Sequence, residues 1–347
     1  MKLKTLSKIK KLEDEGHEMK KIINQPADVV TEMVSGLTRA YPDLIKRLDG
    51  TNVLVKADNT SQVQLISGGG SGHEPSHAGF IGDGMLSAAV CGEVFTSPTP
   101  DQIYEAAKAV DTGDGVFFII KNYSGDVMNF DMAKDMAEME NIQVDFVIVD
   151  DDIAVENSTY TQGKRGVAGT VLVHKILGNL ARSGADLATI KQAADQLVAE
   201  INTIAVALSG ATVPEVGKPG FVLPEDEIEY GVGIHGEPGY RREKMLPSKD
   251  LAKELVDKLI SSFDGDTTSE YAILVNGMGA TPLMEQFIFN NDVMHLLDDQ
   301  AVKVAYTKVG NFMTSIDMAG ISLTMLRLSD AAWLDALNAD VRTIAWG

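Results

Sequence analysis

Short apolar runs alternate with segments whose apolar residues recur at helical spacing in the first half of the chain. This pattern predicts strands at 53–55, 63–66, 116–120 and 144–149, and helices at 27–41, 101–110 and 131–140. The run at 116–120 is apolar at every position, as expected for a central strand that is covered on both faces. The alternation predicts an α/β fold with mostly parallel sheets flanked by helices.

A long helical stretch from 167 to 202, interrupted near Ser183-Gly184, separates this half from a second series of strands. Those strands are predicted at 204–208, 230–234, 271–275, 303–308 and 322–328. We therefore predict two α/β domains, at 19–185 and 186–347. Residues 1–18 are rich in lysine and then acidic, without the apolar core of a secretory signal. They are expected to be a mobile extension, or to precede a natural start at Met19.

Composition narrows the classes of function. With 44 % hydrophobic residues, the 347-residue chain can fill more than one core. A formal charge of -20 disfavours nucleic acid and anionic membrane surfaces as partners, and no apolar stretch approaches a transmembrane span. Cys91 is the only cysteine, so no intrachain disulfide can form, and a reducing, cytoplasmic location is expected. The small apolar residues around Cys91 indicate a core position.

His235 is the first candidate for chemistry. It lies on a bend with glycines at 231, 233, 236 and 239, followed by Pro238, so little side-chain bulk surrounds its ring. A neutral imidazole presented in this way can attack a carbonyl carbon. The alternative is a histidine that is hydrogen-bonded within an ordinary tight turn.

A second glycine-rich histidine segment, at 67–75, follows the strand predicted at 63–66. A loop at this end of a strand commonly offers its backbone N–H groups to small ligands, although an ordinary strand-to-helix turn would look similar. The dinucleotide fingerprint fails because His73 replaces its third glycine, and no Gly-Lys-Ser/Thr triplet exists for a Walker A loop. His73-Glu74-Pro75-Ser76-His77 matches the zincin pattern, but Pro75 opposes the continuous helix that zinc binding requires. No metal site is predicted.

A third candidate is the polar segment 121–126, which follows the strand at 116–120. Its lysine, amide, hydroxyl and carboxylate groups could bind a polyhydroxylated molecule, with Asp126 accepting a proton, or they could form an ordinary polar loop. The three aspartates at 150–152 lack further metal ligands at a recognisable spacing, so a loop and helix-start role is favoured. His174 and His295 lie in apolar, helix-like contexts that favour structural roles, and His77 remains open.

Together these segments make the chain, from about Met19 to Gly347, resemble the substrate-binding K subunits of dihydroxyacetone kinases. The most specific matches are SGGGSGHEPSHAGFIGDGML at 67–86, GEVFTSPTPDQI at 92–103, IIKNYSGDVMNF at 119–130, DDDIAVENS at 150–158, GKRGVAGTVLVHKILG at 163–178, YGVGIHGEPG at 230–239 and VNGMGATPL at 275–283. Seven blocks in the same order make an accidental similarity very improbable.

The resemblance implies that His235 binds dihydroxyacetone covalently as a hemiaminal. It implies a set of triose contacts at Gly70, Ser71, Gly72, His73, Lys121 and Asp126. A phosphoryl group would then be transferred to a terminal hydroxyl, whose proton passes to Asp126 or His73. The catalytic residues would be His235, His73 and Asp126.

The resemblance also implies partners. This chain would bind no cofactor, and ADP or ATP with Mg would be held by a separate L-type subunit that a phosphotransferase-system M-type subunit recharges. A homodimer is expected. Two other functions remain open: a regulatory paralogue that binds dihydroxyacetone and activates transcription with a partner protein, and a sugar-binding module without a covalent step.

Overall fold

The chain forms two six-stranded sheets flanked by helices in the computed structural model, which describes residues 20–155, 161 and 163–347. The strands of the first sheet come from residues 45–149 and those of the second from residues 201–327. The predicted α/β class is therefore confirmed. The prediction for residues 1–18 lies outside the described residues.

The first sheet is parallel at its centre and antiparallel at one edge. Its strands are β1 (Ile45–Arg47), β2 (Val53–Lys56), β3 (Gln64–Ser71), β4 (Ala88–Val94), β5 (Val116–Lys121) and β6 (Val144–Val149). They are ordered β1-β2-β4-β3-β5-β6, and β4, β3, β5 and β6 run parallel. The carboxyl ends of β3 and β5 therefore open at one edge, where α/β sheets commonly bind ligands.

Helices cover both faces of this sheet because β5 is apolar on both sides. They are α1 (Val29–Ala40), α2 (Pro100–Val110), α3 (Ser124–Met139), α4 (Thr170–Arg182) and α5 (Leu187–Ala199). Phe117 and Ile119 of β5 pack in the cluster that contains residues of α4 and α5, whereas Phe118 and Ile120 pack in the cluster of α2 and α3. This alternation follows the two-residue period of a strand.

The second sheet is mostly antiparallel, so the prediction of mostly parallel sheets is correct for the first sheet and wrong for the second. Its strands are β7 (Ile201–Ala207), β8 (Glu227–Tyr230), β9 (Arg241–Lys244), β10 (Glu270–Gly277), β11 (Lys303–Gly310) and β12 (Gly320–Arg327). Their order is β11-β10-β12-β7-β8-β9. The pairing of β10 with β11 is parallel, and the other pairings of the described strands in this sheet are antiparallel. No described helix separates β7, β8 and β9. Parallel neighbours need a crossover connection, so these three successive strands pair antiparallel.

The other described α-helices are α6 (Ser248–Ser262), α7 (Leu283–Asp299) and α8 (Ala331–Asn338). Short 3₁₀ helices lie at Pro26–Asp28 and Ala78–Phe80. Helices α6 and α7 cover one face of the second sheet. On its other face, Ala272, Leu274 and Leu326 belong to the same buried cluster as residues of α4 and α5. Helix α5, which the prediction assigned to the second domain, packs on β5 and β6. The domain boundary itself stays a prediction.

Three local differences from the predicted elements concern the candidate site. The glycine-rich run at 67–71 is not a loop, because β3 continues through it to Ser71 and pairs with β4. Helix α3 begins at Ser124, so Asp126 lies in its first turn. Strand β8 ends at Tyr230, because Gly231 has a φ of +79° and starts the bend that carries His235. One smaller prediction is confirmed, because Cys91 is buried.

Candidate active site

His235 is fixed by the carboxylate of Glu237, two residues further along the same bend. Its Nδ1 lies 3.0 Å from Glu237 Oε1, and its backbone N–H donates to Oε2 over 2.9 Å. A carboxylate only accepts hydrogen bonds, so Nδ1 carries the proton, and Nε2 of the neutral ring keeps its lone pair. Burial opposes ionisation of Glu237, yet the hydrogen bond from His235 and the electrostatic attraction to its ring lower the pKa of this carboxyl to about 2. The pair therefore directs a nucleophilic nitrogen away from Glu237.

His73 lies two residues after the end of β3 and faces His235 directly. Its Nδ1 donates to the carbonyl of Thr314 over 2.7 Å, and its Nε2 lies 3.1 Å from His235 Nε2. Both Nε2 atoms carry lone pairs when both rings are neutral, so the contact becomes a hydrogen bond only when one proton lies between them. Burial, followed by the charges of His235 and Lys121, lowers the pKa of His73 well below its usual range. His73 thus gives up such a proton readily.

Asp126 is nine-tenths buried and held from two sides. Ser97 Oγ donates to its Oδ1, and the ammonium of Lys121 lies 3.6 Å from its Oδ2. Lys121 is the last residue of β5, and Asp126 lies in the first turn of α3, so the strand-to-helix connection brings the two charges together. The helix amino terminus also favours a negative charge at this position. Burial lowers the pKa of Lys121, while the charge of Asp126 opposes that change.

A cavity of about 490 Å³ opens between His235 and Asp126. This volume exceeds what a three-carbon molecule needs and leaves room for a group that approaches from outside. The cavity is lined by Gly70, Phe95, Ser97, Tyr123, Ser124, Gly125, Asp126 and His235. Of the predicted site residues, His235, Asp126 and Gly70 therefore line it directly. His73 adjoins it through His235, and Lys121 adjoins it through Asp126.

The predicted glycine-rich contacts differ in their surroundings. A Cβ atom on Gly70 would lie 2.5 Å from the backbone nitrogen of Thr96, so only glycine fits there. The hydroxyl of Ser71 already donates to the carbonyl of Gly92 over 2.7 Å, so its proton is not available to a ligand. The N–H of Gly72 donates to the carboxylate of Glu74 over 3.1 Å. The structure therefore places Gly70 at the cavity, and Ser71 and Gly72 in contacts that shape the strand end.

Two aromatic side chains that sequence reasoning missed surround the imidazole of His235. The Phe95 ring stacks on His73 at 5.1 Å and meets His235 edge-on, and Tyr123 meets His235 edge-on at 4.6 Å. The buried hydroxyl of Tyr123 has no hydrogen-bond partner among the described residues. Ser97 and Glu237 were missed as well, although both lie within the motifs GEVFTSPTPDQI and YGVGIHGEPG.

The acidic and histidine clusters considered for metal binding have other partners. Residues 73–77 do not form a helix, so the zincin arrangement is absent there. Asp151 accepts from the backbone N–H groups of Val167 and Gly169, and Asp152 pairs with Arg165 over 2.6 Å. Asp151 also accepts from the hydroxyl of Thr203 on β7, so these carboxylates join the loop before α4 to the second sheet. The predicted loop role agrees with this arrangement, whereas the helix-start role was wrong, because no helix begins in the described residues 150–155. Among the described residues, no group of three or more metal-binding side chains is present.

His77 and His174 lie beneath the site in a chain of polar contacts. His77 Nε2 is 3.1 Å from Lys121 Nζ, and His77 Nδ1 is 2.9 Å from His174 Nε2. Both histidines are buried, and burial lowers the pKa of each below its usual range, to about 3 for His174. His174 lies on α4, as predicted for a helical context, but its Nδ1 has no partner among the described residues.

Comparison with known proteins identifies the family. The family model described as the Dak1 domain matches residues 35–345. The chain belongs to the Dak1 domain family. It is 66 % identical over 328 residues to the "PTS-dependent dihydroxyacetone kinase, dihydroxyacetone-binding subunit DhaK" of Lactococcus lactis, and the match covers 94 % of this chain and 99 % of that protein.

A second Dak1 relative carries a different name. The "DhaKLM operon coactivator DhaQ" of Lactococcus lactis is 45 % identical over 331 residues, covering 94 % of this chain and all of that protein. Among solved structures, the dihydroxyacetone kinase of C. freundii in complex with AMP-PNP and Mg²⁺ superposes with a TM-score of 0.87 at 34 % identity. That match covers 94 % of this chain and 61 % of the C. freundii chain, so this Dak1 protein shares the kinase fold. In the described part of this chain, every helix is too short or too polar to span a membrane.

Proposed function

We propose that this chain is the dihydroxyacetone-binding subunit of a phosphotransferase-dependent dihydroxyacetone kinase, and that His235 holds the ketone as a hemiaminal. The observation that carries the proposal is the orientation of His235. Glu237 occupies Nδ1, so Nε2 is the nitrogen available for attack beside a cavity that Asp126 also lines. The 66 % identity to a subunit named for dihydroxyacetone binding supports the choice of substrate.

Hemiaminal formation needs one proton for the carbonyl oxygen, which the two histidines take up from water and share between His235 Nε2 and His73 Nε2. With that proton on His73, the lone pair of His235 Nε2 attacks the carbonyl carbon and the C=O π electrons move to oxygen. The oxygen then takes the proton from His73. The adduct is an imidazolium whose Nδ1–H faces the Glu237 carboxylate, and His73 becomes neutral, so atoms and charge balance.

Covalent binding also gives a physical basis for selectivity. Glycerol has hydroxyls of similar size and polarity, so hydrogen bonds alone would discriminate poorly between glycerol and dihydroxyacetone. Only an aldehyde or a ketone can form the hemiaminal with His235. Short-chain carbonyl compounds are therefore expected to bind and polyols are not. Equal affinity for dihydroxyacetone and glycerol in a saturation-binding comparison would contradict this mechanism.

The hydroxyl that receives phosphate is assigned to the space beside Asp126. An N–H of Lys121 can donate to the hydroxyl oxygen there, while the hydroxyl proton points to the Asp126 carboxylate. Neutral His73 is the other base near the adduct, since its Nε2 lone pair is free once the proton has moved to the ketone oxygen. Asp126 and His73 are therefore the two candidate bases for phosphoryl transfer.

The phosphoryl donor is assigned to a separate subunit. ADP or ATP with Mg²⁺ would be held by an L-type partner that covers the open side of the cavity, and an M-type subunit of the phosphotransferase system would recharge that nucleotide. This chain would then bind no cofactor of its own. The relatives' names, which include "PTS-dependent", support this scheme. A homodimer in the cytoplasm completes the proposal.

A single-turnover experiment tests the function. The chain and dihydroxyacetone are mixed with the ATP-loaded L-type subunit of the same organism, and dihydroxyacetone phosphate is measured. We expect product from the wild type and none from His235→Ala, because the variant lacks the attacking nitrogen. Product formation by the variant at the wild-type rate would contradict covalent anchoring.

The coactivator remains a second candidate function, because one relative of similar length is named for it at 45 % identity. The same experiment separates the two. Hemiaminal formation without any product would favour the coactivator, whereas product favours the kinase subunit. Since Asp126, Lys121 and Ser97 form a charged and hydrogen-bonded group at the cavity, the kinase is the better-supported proposal.

A further inference from the structure

The ammonium group of Lys121 has three polar neighbours and one remaining direction. It donates to the carbonyl of Gly68 over 3.3 Å and to His77 Nε2 over 3.1 Å. The third neighbour, Asp126 Oδ2, lies 3.6 Å away, beyond the usual length of a hydrogen bond. An ammonium has three N–H donors, so two are fixed beneath the site and the third points towards Asp126.

The hydrogen bond from Lys121 determines which nitrogen of His77 carries the proton. Because Lys121 can only donate while it is charged, His77 Nε2 must accept, and the proton of His77 then resides on Nδ1. That Nδ1–H is directed to His174 Nε2 at 2.9 Å, with Ser67 Oγ as a more distant neighbour at 3.3 Å. Two neutral rings thus supply the acceptor for one buried cation.

We propose that His77 and His174 are positioning residues, which orient Lys121 so that its third N–H meets the substrate hydroxyl beside Asp126. The proposal rests on the proposed function and goes beyond it, because neither histidine lines the cavity or touches the reacting atoms. Both side chains are uncharged hydrogen-bond partners. A cation at residue 77 would repel Lys121, and an apolar residue there would leave one N–H of the ammonium without an acceptor.

The burial of Lys121 and the two histidines explains why the acceptor on His77 affects function. Lys121, His77 and His174 are all buried, so water cannot replace a lost hydrogen bond without a rearrangement. The titratable groups nearest to His77 and His174 are Lys121, which faces both histidines, Asp126 on α3, and His73, which lies nearer to His235. Hydrogen bonding to the ammonium favours its charged form. Removing the His77 acceptor is therefore expected to lower the pKa of Lys121 further.

The test compares His77→Leu with His77→Gln in two assays. Hemiaminal formation is followed by NMR with dihydroxyacetone labelled at its carbonyl carbon, and phosphoryl transfer is followed in single turnovers across a range of pH. Leucine fills the space without an acceptor, whereas glutamine can place an amide oxygen near the position of Nε2. His295→Leu, an exposed histidine on α7, is the control for loss of a histidine elsewhere.

For His77→Leu we expect the adduct to form, the transfer rate to fall about tenfold, and the alkaline limb of the rate profile to move to lower pH. His77→Gln should restore most of the rate and the profile, and His295→Leu should match the wild type. Equal loss in His77→Leu and His77→Gln, or an unmoved profile in His77→Leu, would overturn the proposal.

A second pair of variants covers the case in which His77→Leu does not fold. His174→Leu removes the acceptor for His77 Nδ1–H, and His174→Gln retains one. For His174→Leu, but not for His174→Gln, we expect the alkaline limb to move in the same direction. The shift should be smaller than in His77→Leu, because Ser67 Oγ lies 3.3 Å from His77 Nδ1 and can accept from it instead. An identical profile in both His174 variants would reject the proposal. Absence of the adduct in the wild type would instead reject the proposed function, so the two failures are distinguishable.

Discussion

At the scale of single residues, the site depends on which nitrogen of each imidazole donates a hydrogen bond and which keeps its lone pair. His235 donates from Nδ1 to Glu237 and His73 donates from Nδ1 to Thr314, which leaves two Nε2 atoms facing each other at 3.1 Å. The sequence motifs identified both histidines as candidates, and Glu237 was visible two residues after His235. The carbonyl of Thr314 could not be foreseen, because a backbone oxygen 241 residues away carries no residue-specific signal.

The charge of Glu237 is expected to stabilise the adduct. Glu237→Gln keeps an oxygen that can accept from Nδ1–H but removes the negative charge opposite the imidazolium. We expect the affinity for dihydroxyacetone to fall about tenfold, as for other groups that orient a reacting histidine. An NMR titration with carbonyl-labelled substrate measures this. The carboxylate of Glu200 pairs with Arg327, away from the cavity. Glu200→Gln therefore serves as the control and should bind dihydroxyacetone with the wild-type affinity. Unchanged affinity in Glu237→Gln would show that the charge has no such role.

The same carboxylate should make stability depend on pH. Its pKa in the folded protein is about 2, below the ordinary value of 4.5, so its ionised form is favoured by folding. This contribution is fully present above about pH 4.5 and is lost as the pH falls towards 2; its upper bound is on the order of 3 kcal/mol. Urea unfolding of wild type and Glu237→Gln should show a difference at pH 7 that shrinks across this range. A difference that is independent of pH would contradict the assignment.

At the scale of elements, the glycine-rich run shows why a motif can be recognised and its conformation still mispredicted. Glycine favours loops in a sequence analysis, yet Gly68, Gly69 and Gly70 pair with β4. They are small because other groups approach them closely: a Cβ on Gly68 would lie 2.7 Å from the carbonyl oxygen of Val90. Local propensity therefore gave way to tertiary packing at these positions.

A pair of glycine-to-alanine substitutions tests this account. In Gly70→Ala, the new methyl group would lie 2.5 Å from Thr96 N and 2.7 Å from the Phe95 backbone, so the end of β3 must move. We expect a loss of at least about 1–3 kcal/mol of stability and no detectable adduct. Gly36→Ala on α1 has open space and should instead stabilise the protein by about 0.5–1 kcal/mol. Thermal unfolding measures both changes in stability. Similar melting temperatures for Gly70→Ala and Gly36→Ala would refute the packing argument.

At the scale of the whole molecule, the two sheets contribute different parts of one site. The first half supplies Lys121 at the end of β5, His73 just after β3 and Asp126 in α3. The bend after β8 in the second half supplies His235. The periodicity of the sequence predicted both series of strands. Strand direction in the second sheet was not foreseen. It depends on whether a helix crosses between successive strands, and the apolar runs alone do not encode it.

Because the site joins the two halves, the adduct should protect backbone amides in both of them. The N–H of Ile316 donates to Gly72 and that of Thr314 donates to His73, so the segment 314–316 already links the second part to the end of β3. The proposed hemiaminal would hold a ligand covalently between His235 and Asp126. A ligand that binds only the folded state raises the free energy of local opening around the site.

Hydrogen exchange measures this effect directly. We expect dihydroxyacetone to slow exchange in the segments 70–73, 233–237 and 314–316 together, by about tenfold or more at saturating ligand. Glycerol should leave exchange unchanged, and His235→Ala should abolish the response to dihydroxyacetone. Helix α7 provides the internal reference, because none of its residues lines the cavity. Protection confined to 70–73 would mean that the ligand binds to the first sheet without the bond to His235.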